Sequence, residues 1–267
     1  MTVTKVKVRP SSSGFMVGKQ VHTTYPSGCL RHMKVSRVAP YQPIDPIYQD
    51  VGAVHEERYE QTLGNRLLER EYVIKHEISE IAEYTGRCDF IDIDGAVHET
   101  KATLSKTSKA SIITKGQINI NHLSQLTSYL VHLERMEGYI IVGYYETDPT
   151  TESFVCVAER TFKITINTRG AVLIDGEEST YTVHDYLKHE AAQVTLDTVL
   201  LPERPYQESR FKSPCMFCPF NVLCDEVDIG LTPGTEFVSK ALDILKTVVP
   251  RPVKVNTLSK KAKKELT

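Results

Sequence analysis

The sequence predicts an α/β fold, a central sheet flanked by helices. Residues 47–70 and 120–135 carry apolar side chains at helical spacing, and β-patterned stretches follow each of them. Asp94-Gly95 forms a turn signal between two of the β stretches. The resulting order, helix, strands, helix, strands, helix, is that of a sheet covered on its faces.

Each element has its own signal. The first 40 or so residues are rich in Ser, Pro and Gly and read as loops and short elements. Asp45-Pro46 signals a helix start, and Val51, Val54, Tyr59, Leu63 and Leu67 then recur at helical intervals, with a break near Gly64. His55 lies on the apolar face of that helix. The period changes to two over residues 71–79, 86–93 and 96–104, so three strands are expected. A polar, lysine-bearing connection from Ser105 to Gln117 leads to a second helix marked by Leu123, Leu126, Leu130 and Leu133. Strands resume over 138–147, 152–167 and 171–175. Residues 181–200 read as a third helix, ended before Pro202 and Pro205. A cysteine-rich segment follows, and beyond Glu226 comes a poorly patterned tail containing Pro233, Pro250 and Pro252.

With 267 residues, 40 % hydrophobic and 25 % charged, the chain is long enough for one large core and is neither fibrous nor disordered in composition. There is no apolar run of the roughly 18 residues a membrane span needs and no signal-type apolar stretch, so a soluble cytoplasmic protein is expected. Six cysteines in such a chain are not read as a disulfide framework. The net charge of −2 hides segregation. Residues 1–44 contain Lys5, Lys7, Arg9, Lys19, Arg31, Lys34 and Arg37 without any acid, and Lys101, Lys106, Lys109 and Lys115 occupy an acid-free stretch to Leu133. Acid concentrates between Asp45 and Glu99. Basic stretches around an acidic centre fit a phosphate-binding rim at a metal site, or simply solvated faces.

The hairpin carries the chemistry. Glu99 and Lys101 are two apart on one strand and share a face, and pairing brings Asp89 alongside them. Two carboxylates and an ammonium suit a Mg2+ or Mn2+ hydrolase, in which the carboxylates hold a hard cation and the lysine activates water and balances developing charge. The same Glu-x-Lys pattern also describes a solvent-facing ion pair. Three features add to it: Gly52-x-x-His55, Gly86-x-x-Asp89, and Gln125-x-x-x-Tyr129, an amide and a phenol one helical turn apart.

The ordered set His55, Asp89, Glu99-x-Lys101 and Gln125-x-x-x-Tyr129 resembles the RecB-like branch of the PD-(D/E)XK nuclease superfamily, over residues 52–129. Cys88 stands where the superfamily has the proline of its "PD". The resemblance implies a restriction-endonuclease-like mixed central sheet. It also implies a metal held by His55, Asp89, Glu99 and the Thr100 carbonyl, with Lys101 catalytic and Gln125 and Tyr129 positioning the lysine or DNA. An imidazole among oxygen ligands suits Mn2+ better than Mg2+. Asp92 and Asp94, close to the turn, are read as lying outside the ligand set.

Cys215-x2-Cys218-x5-Cys224 follows the last expected core helix, and Cys29 could supply a fourth thiolate. Cys88 and Cys156 fall within strands and read as buried apolar residues. One early cysteine followed by this late trio resembles the iron-sulfur RecB-like nucleases, among them the CRISPR-associated exonucleases numbered four and their phage relatives. There four cysteines hold a 4Fe-4S cluster that joins the N- and C-terminal regions like a lid; four thiolates also suit structural Zn2+. By this resemblance residues 1–226 form the nuclease domain and 227–267 a basic C-terminal extension.

The implied function is a Mn2+- or Mg2+-dependent deoxyribonuclease, an exonuclease on single-stranded DNA or duplex ends, in recombination, repair or CRISPR spacer processing. A non-catalytic DNA-binding subunit and a structure-specific endonuclease are the alternatives. No G-x-x-x-x-G-K-[ST] helicase motif is present, so the chain is expected to act on DNA alone or to serve a partner motor, a helicase or CRISPR integration proteins being the candidate partners.

Overall fold

The computed structural model describes residues 20–22, 29–36, 46–79, 82–194 and 220–247. In chain order these form β1 (Gln20–His22), α1 (Leu30–Ser36), α2 (Pro46–Leu63), β2 (Leu67–Ser79), β3 (Ala82–Asp92) and β4 (Val97–Thr103). Then come α3 (Lys106–Ser108), running into a π-helical turn over Lys109–Thr114, and α4 (Ile120–His132). The chain continues with β5 (Glu137–Thr147), β6 (Phe154–Ile166), β7 (Ala171–Ile174), β8 (Glu177–Thr182), α5 (Val183–Val194), α6 (Asn221–Asp228) and α7 (Phe237–Thr247). The expected α/β class is therefore observed, as a mixed sheet of eight strands. Among the described residues, no helix is long and apolar enough to cross a membrane.

β3 organises one half of that sheet. Along one edge it pairs antiparallel with β2 from Ala82 to Asp92. Along the other it pairs parallel with β1 at Glu83–Thr85, and antiparallel with β4 only at Phe90 and Ile91. Residues 86–89 between these two pairings are left without a ladder partner on that edge among the described residues. The sheet then continues from β4 parallel to β5, and antiparallel through β6, β7 and β8.

α4 is the crossover between the parallel strands β4 and β5. Its apolar stripe, Leu123, Leu126 and Leu130, packs into one core with Val97, Ile140, Val142 and Phe162. Leu126 and Leu130 lie so close to Gly138 that an added Cβ there would stand 3.2 Å from each. α2 covers the opposite face, where Val51 meets Tyr145 and Leu104. Val54, expected on the apolar face of α2, is exposed.

The turn between β3 and β4 is wider than an Asp94-Gly95 two-residue hairpin. Asp92 builds it: one carboxylate oxygen accepts from the backbone N–H of Asp94 at 3.0 Å and of Ala96 at 2.9 Å. The other accepts from Arg66 at 3.0 Å and faces His98 Nε2 at 3.3 Å. The Tyr59 hydroxyl reaches the second ring nitrogen of His98 at 3.0 Å, tying α2 to the hairpin. Burial alone would raise the Asp92 carboxyl, but Arg66, the Ala96 N–H and His98 outweigh it and hold the group below its ordinary 3.8.

Three stretches differ from expectation. Residues 105–117 are not a plain connection but helical turns, with Lys109 lying 4.6 Å over the Tyr144 ring. Tyr181 and Thr182 belong to strand β8, so the third helix starts two residues late. Residues 195–200, expected as the end of that helix, lie outside the described residues. The stretch beyond Glu226 is not featureless either. α7 places Phe237 and Ala241 against Val35 of α1 and Phe220, Leu223 and Cys224 around α6, a separate small core.

Two outcomes are expected. Phe237→Ala, which removes a fully buried ring from that small core, is expected to cost about 3–5 kcal/mol and to lower the Tm measured by circular dichroism. Asp92→Asn is expected to cost about 1–3 kcal/mol in urea unfolding at neutral pH. A depressed carboxylate contributes stability above its unfolded value of 3.8 and loses it as pH falls through the lower folded value. The gap between the two proteins should therefore narrow as the pH falls below 3.8.

Candidate active site

Asp89 stands where β3 and β4 part. Instead of continuing the ladder, its Oδ2 accepts from both the backbone N–H and the hydroxyl of Thr100, each at 2.7 Å. Cys88 and Ile91, three apart, both enter the α4-side core, so the strand's two-residue alternation is interrupted at Asp89. On β2, Glu71 sits between the pairs Arg70–Phe90 and Tyr72–Cys88, opposite Asp89, and takes a φ of 53°. Left-handed backbone at a glutamate is strained and marks the same irregularity.

Glu99 and Lys101 share the α4 side of β4, aligned with Ile140 and Val142 of β5. Their side chains form a close ion pair. Glu99 is buried, 1 % exposed, and Lys101 is half-buried. Burial, followed by the negative charge of Asp89, pushes the Glu99 carboxyl up to about 8, with Lys101 pulling the other way. Burial works against the Lys101 ammonium, but Glu99 and Asp89 outweigh it and raise its pKa. Glu99 Oε2 is buried with no hydrogen-bond partner. A buried carboxylate oxygen left in this way favours any donor or cation that can reach it.

His55 approaches from α2, on the side opposite the Glu99–Lys101 pair. Its Nδ1 lies 3.0 Å from the Tyr145 hydroxyl and its Nε2 lies 3.2 Å from the Ile141 carbonyl oxygen. Gly143 makes this seat possible: an added Cβ would meet the imidazole at 2.7 Å. Burial pushes His55 down to about 4, so the ring is neutral near pH 7. Arg58, one turn further along α2, donates to the Tyr145 hydroxyl at 3.3 Å and pairs with Glu159. Arg58, Tyr145, Glu159 and Gly143 were not singled out by sequence, since they come from three separate elements with no common spacing.

Gln125 donates to the Tyr129 hydroxyl at 2.8 Å, and that hydroxyl donates to the Arg87 carbonyl oxygen at 2.7 Å. The pair thus fastens α4 to the unpaired segment of β3, two residues before Asp89. Tyr129 is fully buried, which raises its pKa well above the ordinary value. Glu56 and His122 are two further residues at this centre. The charge of Glu56 acts on both Glu99 and Lys101. His122 is pushed down to about 3 by burial and by Lys101.

Asp89, Glu99, Thr100 and Lys101 are therefore brought together. His55 is near enough for the charges of Asp89 and Lys101 to act on it, but both its nitrogens are engaged elsewhere. Among the described residues, no three His, Cys, Asp or Glu side chains stand as a group that could hold a metal. The reason is geometric: Glu99 turns to the α4 side, His55 packs on the α2 side, and Asp89 is occupied by Thr100.

Of the four cysteines expected to form a cluster, Cys215 and Cys218 lie outside the described residues. Cys29 directly precedes α1 and is half-buried; Cys224 is buried on α6. Arg31 joins the two helices through Asp228 at 2.7 Å. Its guanidinium pKa is raised by Asp228 and Cys224 against the effect of burial. Cys88 is buried in the main core, with its thiol pKa raised by burial, and Cys156 is half-buried.

No protein-family model and no curated protein matches the chain. Solved structures do align with it at low identity. One named SSO0001 is 19 % identical over 77 % of this chain and 86 % of its own, with a TM-score of 0.45. An alkaline exonuclease from Laribacter hongkongensis is 12 % identical over 63 % of this chain and 78 % of its own, with a TM-score of 0.43. A phage-related exonuclease from Haemophilus somnus 129PT is 14 % identical over 62 % and 78 %, with a TM-score of 0.44. With every TM-score below 0.5, the functional reading rests on the chain's own residues.

Proposed function

We propose that the chain is a divalent-metal-dependent DNA exonuclease that hydrolyses phosphodiester bonds on single-stranded DNA or duplex ends. The observation that carries this reading is the convergence of Asp89, Glu99 and Lys101 where β3 and β4 part, with Glu99 Oε2 buried and unpartnered. An exposed ion pair, the plain alternative for Glu-x-Lys, does not bury its carboxylate. Burial and the charge of Asp89 hold the Glu99 carboxyl high, and a hard cation beside both groups would favour their ionised forms.

A Mn2+ or Mg2+ ion would be held by Asp89, Glu99 and the Thr100 carbonyl; His55, a ligand by the resemblance, sits on the other face of the sheet with both ring nitrogens engaged. When bound, the ion supplies Lewis acidity towards a phosphoryl oxygen and lowers the pKa of water. Lys101 orients the attacking water and offsets charge growing on the phosphoryl oxygens. Gln125 and Tyr129 act by holding the Arg87 carbonyl, and hence the strand that carries Asp89. Lys106, Lys109 and Lys115 lie on the turns that follow Lys101 and would meet the DNA backbone.

Cys29, Cys215, Cys218 and Cys224 are proposed to hold a structural 4Fe-4S cluster. The shared core of α1, α6 and α7 supports this, because it gathers the surroundings of the first and last cysteines although about 190 residues separate them. Residues 1–226 are assigned to the nuclease domain and 227–267 to a C-terminal extension. Roles in recombination, repair or CRISPR spacer processing, and a helicase or integration partner, follow from the family resemblance alone.

With Mn2+, Lys101→Ala and Asp89→Asn are each expected to slow degradation of end-labelled linear DNA by at least about 100-fold. Mn2+ should also raise the Tm of the parent protein but not of Asp89→Asn. Undiminished cleavage in both variants would overturn the site, and cutting of circular single-stranded DNA would make the protein an endonuclease. Anaerobically purified protein should be brown and lose its colour in Cys218→Ser; colourless protein with stoichiometric zinc would remove the cluster.

A further inference from the structure

His122 is a half-buried polar group that the reading above leaves unused. It lies in the first turn of α4, three residues before Gln125 and seven before Tyr129, and therefore on the same face of the helix. Its Nδ1 is buried and has no hydrogen-bond partner. His55 engages both ring nitrogens, and His132 reaches Glu190 and Tyr186 at 2.7 Å. His122 Nδ1 and Glu99 Oε2 are two buried atoms without partners, and the charge of Lys101 acts on both residues.

We propose that His122 contacts the substrate, donating a hydrogen bond from its neutral imidazole to a non-bridging oxygen of the scissile phosphodiester. The inference rests on the nuclease reading above and adds a residue to it. Burial and the Lys101 ammonium both keep the ring uncharged, which leaves it one N–H donor and one lone pair. The same ammonium discourages a second cation at this place, so the ligand that satisfies the ring is an anion with oxygen acceptors. A phosphodiester is such a group, and the first turn of α4 is the positive end of that helix.

In the reaction a water oxygen forms a bond to phosphorus as the bond to the leaving oxygen breaks. The attacking water gives up a proton to solvent and the leaving oxygen takes one. Negative charge builds on the non-bridging oxygens meanwhile. The His122 N–H donates to one of them throughout and keeps its proton, beside Lys101.

The test uses the full chain with Mn2+ and a short single-stranded oligonucleotide whose cleaved linkage is all-oxygen, Rp phosphorothioate or Sp phosphorothioate. His122→Leu is expected to lower kcat by at least about tenfold with a smaller change in KM. It should also abolish the rate difference that the parent protein shows for one phosphorothioate isomer. His122→Asn, whose amide N–H stands about where Nδ1 stands, should recover most of the rate. Parental kcat in His122→Leu, or a slower variant that keeps both phosphorothioate effects, overturns the contact. Should the Leu variant fail to fold, His122→Ala decides, with a tenfold loss supporting the contact and an unchanged rate overturning it. A parent protein that cleaves no DNA overturns the nuclease reading and this inference together, whereas an active parent with an unaffected variant overturns this inference alone.

Discussion

A carboxylate inside the sheet constrains the architecture around it. Glu99 is buried on the α4 side of β4, where an isolated charge would be costly, and the chain answers with Lys101 two residues along the same strand. The nearby Asp89 then works against that solution, because a second negative charge pushes the Glu99 carboxyl upwards. The arrangement is tolerable only because Asp89 is itself satisfied by the N–H and hydroxyl of Thr100. An excess of negative charge held by a rigid strand pair is a poor device for stability and a good one for gripping a cation.

That placement of charge depends on β3 leaving its neighbour at Asp89. β4 pairs with β3 at only two residues, and the next residue of β3 is the one whose side chain, not backbone, makes the connection. Two fixtures hold this irregular segment from either end. Asp92, Arg66, His98 and Tyr59 secure the turn from the α2 side, and Tyr129 secures the Arg87 carbonyl from the α4 side. Asp92, expected to be peripheral, is a structural residue, because the turn's free N–H groups need an acceptor that water cannot supply at a buried site.

The elements whose patterns repeat were legible in the sequence. α2 and α4 bury one face each while β5 is buried on both, and Leu126 with Leu130, and Ile140 with Val142, show the helix and strand periods. β8 was missed because Glu177–Thr182 is a short, polar edge strand. α6 and α7 were missed although Phe237, Ala241 and Ile244 recur at helical spacing, because the stretch was read by its cysteines and prolines. The π-helical turn after Lys101 was read as a loop since polar and lysine residues dominate the stretch, although Ile112 is buried.

By itself the sequence determined which groups are available: two carboxylates and a lysine around one turn, an imidazole upstream, an amide and a phenol one helical turn apart. Their residue types and spacing suffice for that, because strand and helix periods place neighbours a few residues apart on known faces. Only the tertiary structure decided what each group does. The break in alternation at Asp89, the seat of His55 on Gly143, the use of Tyr129 as a strand anchor and the unpartnered Nδ1 of His122 all arise between elements far apart in sequence. Burial and the charges of distant neighbours set those roles, and neither is a property of a local stretch of chain.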